Sequence, residues 1–156
     1  MLEIHGGLVA NGTILFTRHI GLHTPAAMQR EILRVVQTFS NHAALPEIVD
    51  LSELTGTEME FRSSNTVTDA ILRHIEPPAP AEKKRVAIYA PSDTIYGMAR
   101  VYTSLLELKN ANVEAMPCRT AAEALSFHEL PETCFEHLEG YDRIGPLPPE
   151  TAACGL

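Results

Sequence analysis

Apolar positions along the chain change period several times, from two to about 3.6 and back, and each change marks an element. Residues 2–10 and 13–20 flank Asn11-Gly12, a pair suited to a type I′ turn, which needs positive φ at both central residues. The chain is therefore predicted to open with an antiparallel hairpin. Thr24 is placed to cap a helix and Pro25 to begin it, with Met28, Ile32, Val35, Val36 and Phe39 on its inner side and an end near Asn41. Residues 48–51 read as a short buried strand after Pro46, followed by a loop, SELTGTEMEF. Ser63-Ser64-Asn65 then leads into a second helix with Val67, Ile71 and Ile75 facing inward. EPPAPAEKK reads as a proline-stiffened connection inside one domain.

The stretch RVAIYAPSDTIYGMARVYTSLLEL gives strand, turn and amphipathic helix in succession. Its strand is 86–90, Pro91 ends it, and Ser92 or Asp93 can cap the helix. Tyr96, Ala99, Thr103 and Leu106 form one row, and Met98, Val101, Tyr102, Leu105 and Leu108 a second, so a wide buried face is expected. Gly97 lies on that face. Since glycine costs a helix about 1 kcal/mol relative to alanine, close approach to a sheet is its expected reason. A strand at 113–118 and a capping box, Thr120 to Glu123, open a last helix through Leu125 and Phe127. The order ββαβαβαβα predicts an α/β fold, a mixed and mostly parallel sheet with an N-terminal β-hairpin and helices packed against it. The predicted domain covers 1–130. Residues 131–156 form a Pro/Glu-containing tail expected to be partly ordered, with a short helix near 134–138 before it frays.

Composition narrows the classes. Of 156 residues 45% are hydrophobic and 21% charged, and the net charge is −8, so the phosphate-neutralising surface that drives nucleic-acid binding is missing. Lys83-Lys84-Arg85 reads as a solvated cluster that discourages aggregation of the strand after it. No apolar run approaches the roughly 20 residues that span a bilayer, and MLEIHGG lacks the features of a signal peptide. A cytoplasmic location without membrane insertion is expected. Cys118, Cys134 and Cys154 show no CxxC pairing and read as free thiols. His19 and His23, four apart in a predicted strand, would stand about 13 Å from each other, too far to share a metal without a bend. Neither a metal nor a cofactor is expected.

No G-x-S-x-G, P-loop, G-x-G-x-x-G or HExxH pattern occurs. Asp93 would repel an anion at the Ser92 helix start. Asp50, Glu58, Glu60 and His74 could converge, although carboxylates on loops are more often solvated. Asp93, Tyr96, Arg100 and Tyr102 are the candidate interaction residues, because Tyr and Arg bring large contact area with a polar end. Tyr96 and Tyr102 are too far apart in helical phase for one narrow stripe, so at least one is expected to pack on the sheet.

The order of elements, VDLSELTG, and above all RVAIYAPSDTIYGMARVY followed by VEAMPCRTAAEALSF resemble the SpoIIAA-like group of small bacterial proteins, related to STAS domains. The likeness spans 1–130. Its most specific part is Ala90, Pro91, Asp93, Tyr96, Gly97, Met98, Ala99, Arg100 and Tyr102. The resemblance implies an α/β fold without established catalysis. Some relatives bind protein kinases or sigma-factor regulators, and lipid-transfer CRAL-TRIO domains share a similar plan. Partner-switching members carry a phosphorylated serine in a D-S-S-G-like stretch. Here Ser63 and Ser64 lack the preceding aspartate and the following glycine, so they read as helix caps, with a phosphoacceptor role doubtful. The expectation is a non-enzymatic regulatory or protein-interaction module, with a carrier of a small apolar or lipid-like ligand as the alternative. A two-fold dimer is also expected, covering Phe135 and Leu138, with the segment from Gly140 onward dispensable to folding. A lined cavity of several hundred Å³ between helices and sheet would favour the ligand, and a filled core with an exposed apolar patch a partner.

Overall fold

The computed structural model describes residues 1–74, 82–109 and 111–149. Strands β1 (Leu2–Val9) and β2 (Ile14–His23) form the predicted antiparallel hairpin, paired from Leu2 with Gly21 to Val9 with Ile14. Its tip is longer than a two-residue turn. Ala10, Asn11 and Gly12 all take positive φ, and the Thr13 hydroxyl donates to the Ala10 carbonyl at 2.6 Å. Strands β3 (Glu47–Thr57), β4 (Lys84–Tyr89) and β5 (Val113–Cys118) continue parallel from β2. With a two-residue β6 (Gly145–Pro146) antiparallel on β1, the six-stranded order is β5-β4-β3-β2-β1-β6.

Helices α1 (Pro25–Thr38), α2 (Phe61–His74) and α3 (Asp93–Leu108) cover one face. Strand alternation sends Val49, Leu51, Val86 and Ile88 to that side, against Ile95 and Ala99 of α3. Leu2 packs there against Ala27 and Met28 of α1 and Val67 and Ile71 of α2. The opposite face takes Phe16, Ile48 and Ala87, covered by Ala124 and Leu125 of α4 (Ala121–Phe127) and by Phe135 and Leu138. Thr24 caps α1, Ser92 caps α3 and Thr120 caps α4, each side chain accepting from the backbone N–H three residues on.

The structure corrects several expectations. SELTGT is strand, since β3 runs to Thr57 beside β2. The alternating pattern disappears there because the pairing shifts register between Arg18 and Ile20 and again between Gly21 and Leu22. Gly97 is exposed, and a Cβ built on it would meet nothing within 4 Å. The face of α3 that packs is Ile95, Ala99, Leu105 and Leu106, which leaves Val101 and Leu108 outward. The short helix expected near 134–138 is present as a 3₁₀ turn, but residues 139–149 do not fray after it. Phe135, Leu138 and Leu147 are buried, 3₁₀ turns form at Phe135–His137 and Tyr141–Arg143, and Arg34 donates to the carbonyls of Leu147 and Pro148. Phe135 and Leu138 are thus covered within the chain and supply no reason for a dimer, and the segment after Gly140 carries part of the core. Much of the EPPAPAEKK connection, Ile75 and Cys154 lie outside the described residues.

Candidate functional site

The face carrying α1, α2 and α3 does not close completely over the sheet. A cavity of about 150 Å³ lies between them, with a mainly apolar lining that includes Val49, Val86, Ile88, Val67 and Ile71. A few buried polar side chains join that lining, and each is there for a local reason.

His19 and His23 come from β2. Four strand residues would separate them by about 13 Å, but the two register shifts and Gly21, held at φ 103°, kink the strand between them. Only glycine takes that conformation at low cost. As a result His19 Nδ1 stands 2.8 Å from His23 Nε2, with the residues 4% and 2% exposed. Burial, and secondarily the neighbouring His23, holds the His19 imidazole well below its usual pKa. Burial alone brings His23 down to about 4. Both rings are therefore neutral near pH 7.

A second polar group comes from the starts of β3 and β4. Lys84 alternates with Val86 and Ile88 on the inner face, and its Nζ meets the Glu47 carboxylate at 2.9 Å. Thr17 donates to the other Glu47 oxygen at 3.3 Å. Lys84 is 5% exposed, so the solvated-cluster reading of Lys83-Lys84-Arg85 fails at its central residue. Tyr102 of α3 and Ser64 of α2 complete the polar lining. Burial first, then the Glu47 charge, raises the Tyr102 hydroxyl above its usual pKa.

The predicted interaction residues do not form one set. Tyr102 turns inward to the cavity. Asp93 and Tyr96 are tied to Arg119, whose guanidinium bonds the Asp93 carboxylate at 2.6 Å and lies 4.0 Å over the Tyr96 ring. Arg100 is exposed. Ser63 and Ser64 also separate. The helix starts at Phe61 rather than at the serines, and Ser63 Oγ accepts from the Glu60 N–H at 2.8 Å. Ser64 is buried at the cavity and caps nothing. Asp50 faces the other side of the sheet, paired with Arg18 at 2.9 Å, whereas Glu58 and Glu60 are exposed. That candidate cluster does not assemble, and the His74 side chain lies outside the described residues. Cys118 is buried, its thiol pushed up to about 12 chiefly by that burial. No group of three potential metal ligands occurs among the described residues, and none of their helices is long and apolar enough to cross a membrane.

Sequence reasoning missed His19, His23, Lys84 and Glu47 as neighbours. Two signals were present: a glycine midway between two histidines in a strand, which suggests a bulge, and the two-residue spacing of Lys84, Val86 and Ile88.

A mixed sheet whose N-terminal hairpin joins three further parallel strands, with helices packed on it, defines the class as a SpoIIAA-like α/β fold. No family model matches the sequence, and no curated protein does. Among solved structures, the chain is similar to an uncharacterised protein of the DUF3478 family with a SpoIIAA-like fold, from Shewanella loihica PV-4. The TM-score is 0.50 at 15% identity, over 81% of this chain and 94% of that one. The likeness is one of fold.

Proposed function

We propose that the protein is a non-catalytic binding protein for a small, mainly apolar molecule held between the sheet and helices α1 to α3. The cavity carries this reading. Protein interiors hold few voids larger than a water molecule, and at the cost measured for engineered cavities an empty one of about 150 Å³ would destabilise the fold by roughly 3 to 4 kcal/mol. A ligand recovers that loss. The volume is below the several hundred Å³ of a drug-sized pocket and fits a molecule of about one ring, smaller than a lipid. Within the lining His19 is bonded to His23, and Glu47 to Lys84 and Thr17, an arrangement suited to holding a molecule rather than transforming it. Cytoplasmic location belongs to the same proposal and is supported by Cys118 and Cys134, both free thiols.

Native mass spectrometry of protein purified without denaturation tests this. A small-molecule adduct is expected on the 17.1 kDa chain, reduced in Ala99→Leu, which fills the cavity from α3. A bare chain that also fails to bind small aromatic probes would overturn the reading.

One observation favours a protein partner instead. Arg100 is exposed one turn from Tyr96, and its guanidinium makes no ion pair among the described residues. Loss of a co-purifying protein on Arg100→Ala would support that interaction role.

A further inference from the structure

The polar groups of the cavity restrict the chemistry of its occupant. Lys84 and Glu47 cancel at 2.9 Å, and the two imidazoles are neutral, so the cavity as a whole carries no net charge. An ion entering it would lose its hydration without finding a free counter-charge. The histidine pair sets a further condition. Two neutral imidazoles joined by one N–H···N bond consume one N–H and one lone pair. Whichever tautomer is present, the two outer atoms, His19 Nε2 and His23 Nδ1, retain one N–H and one lone pair between them. Neither outer atom has a hydrogen-bonding protein partner among the described residues. Both histidines line the cavity and are almost fully buried. A hydrocarbon alone would leave these atoms unsatisfied, which is costly in a buried site.

We propose that the cavity recognises a small neutral molecule with an apolar body and one hydroxyl group, of which phenol is the simplest example, its hydroxyl bonded to an outer nitrogen of the His19–His23 pair. This rests on reading the cavity as a ligand site and adds the polar end of the ligand. A hydroxyl both donates and accepts, so it satisfies an outer nitrogen in either tautomer of the pair. The two neutral forms of the pair differ in which outer nitrogen is the donor and which the acceptor, and passing from one to the other requires an outer proton to move together with the shared one. The volume agrees, since an engineered cavity of about 150 Å³ binds benzene. At the second polar group, Glu47 already accepts from both Lys84 and Thr17, so it forms a neutral wall.

Phenol and toluene have the same shape and differ only in hydroxyl for methyl, so the pair isolates the proposed contact. Calorimetric titration of the full chain with phenol, toluene and benzoate is expected to rank phenol first, about tenfold or more tighter than toluene, with benzoate weakest. Phenol should move the ¹⁵N resonance of an outer imidazole nitrogen, and toluene should not. His23→Phe keeps an aromatic ring at only slightly larger volume and should abolish the preference for phenol while toluene still binds. If that variant does not fold, the titrations and imidazole shifts of the unaltered chain decide. Toluene binding as tightly as phenol would overturn the hydroxyl contact and leave the ligand site standing. Tightest binding of benzoate would overturn it by moving the polar end to Lys84. Binding of no probe would overturn both this inference and the ligand site on which it rests.

Discussion

The two faces of the sheet are covered with different materials. On the α4 side Phe16 meets Phe135 and Tyr141 edge-on, with ring centroids 5.2 and 5.7 Å apart, and Tyr89 closes on Phe135 at 5.2 Å. Arg18 lies over the Phe16 and Tyr141 rings while bonding Asp50 and the Tyr141 hydroxyl. The α1 to α3 side has aliphatic and methionine side chains, a cavity, a histidine pair and a buried ion pair in place of stacked rings. One face is therefore built for stability. The other gives up packing around a cavity, which costs stability unless something is bound.

Truncation of the filled face should have the largest effect. Phe135→Ala removes a ring shared by two edge-on pairs and should cost about 3 to 5 kcal/mol, read from the denaturant midpoint at unchanged m-value. A loss below about 1 kcal/mol would mean that the 131–149 segment is not part of the core.

Lys84→Ala tests the polar wall of the other face. It leaves the half-buried Glu47 without its cation, at a cost of about 2 to 3 kcal/mol, while the double change Lys84→Met with Glu47→Leu should restore most of the loss. A double variant as unstable as the single one would show that the residues matter through packing rather than charge.

Acid should weaken the cavity face first. His19 and His23 have folded pKa values below the unfolded 6.5, so between pH 6.5 and about 4 the unfolded chain binds more protons than the folded one. Stability from these groups is present in full above pH 6.5 and is lost as pH falls toward 4, on the order of 1 kcal/mol per pH unit for each ring. His128, also lowered mainly by burial, adds in the same direction. Denaturant midpoints measured from pH 7 to 5 should fall, and less steeply in His23→Phe. Equal slopes in parent and variant would remove the buried pair as the cause.

Added methylenes should separate the faces in sign. Ala124→Val enlarges a fully buried position on the filled side and should cost about 1 to 3 kcal/mol. Val67→Leu extends into the cavity and should be neutral or stabilising by less than about 1 kcal/mol. Equal penalties would mean that the cavity is no roomier than the packed face.

The smallest effect belongs to neither face. Gly97 has open space around it, so Gly97→Ala should stabilise α3 by about 0.5 to 1 kcal/mol, visible as a modest rise in Tm. A loss of stability would restore the close approach inferred from the sequence.

Much of the fold was legible because it depends on local signals. Thr24-Pro25, Ser92 and Thr120 mark helix starts through hydrogen bonds only three residues long, and a buried strand such as 84–89 shows as an apolar run. These features set the order of elements and with it the mixed, mostly parallel sheet. Gly97 misled because a glycine in an amphipathic helix looks the same in sequence whether it meets a sheet or open solvent. The tail misled because Pro and Glu suggest solvation, while burial of Phe135, Leu138 and Leu147 depends on a sheet face assembled from distant strands.

The candidate site was the least legible part, for the same reason. By itself the sequence determined which residues alternate along each strand, including Lys84 with Val86 and Ile88, and that His19 and His23 share a strand. Only the tertiary structure decided that β3 and β4 pair so that Lys84 meets Glu47, and that two register shifts around Gly21 bring two histidines to hydrogen-bond distance. It alone decided that three helices stop short of filling the space above them. A hydrogen bond within one turn is written in neighbouring residues. A cavity is a difference between volumes contributed by helices and strands far apart in the chain, and no local pattern records it.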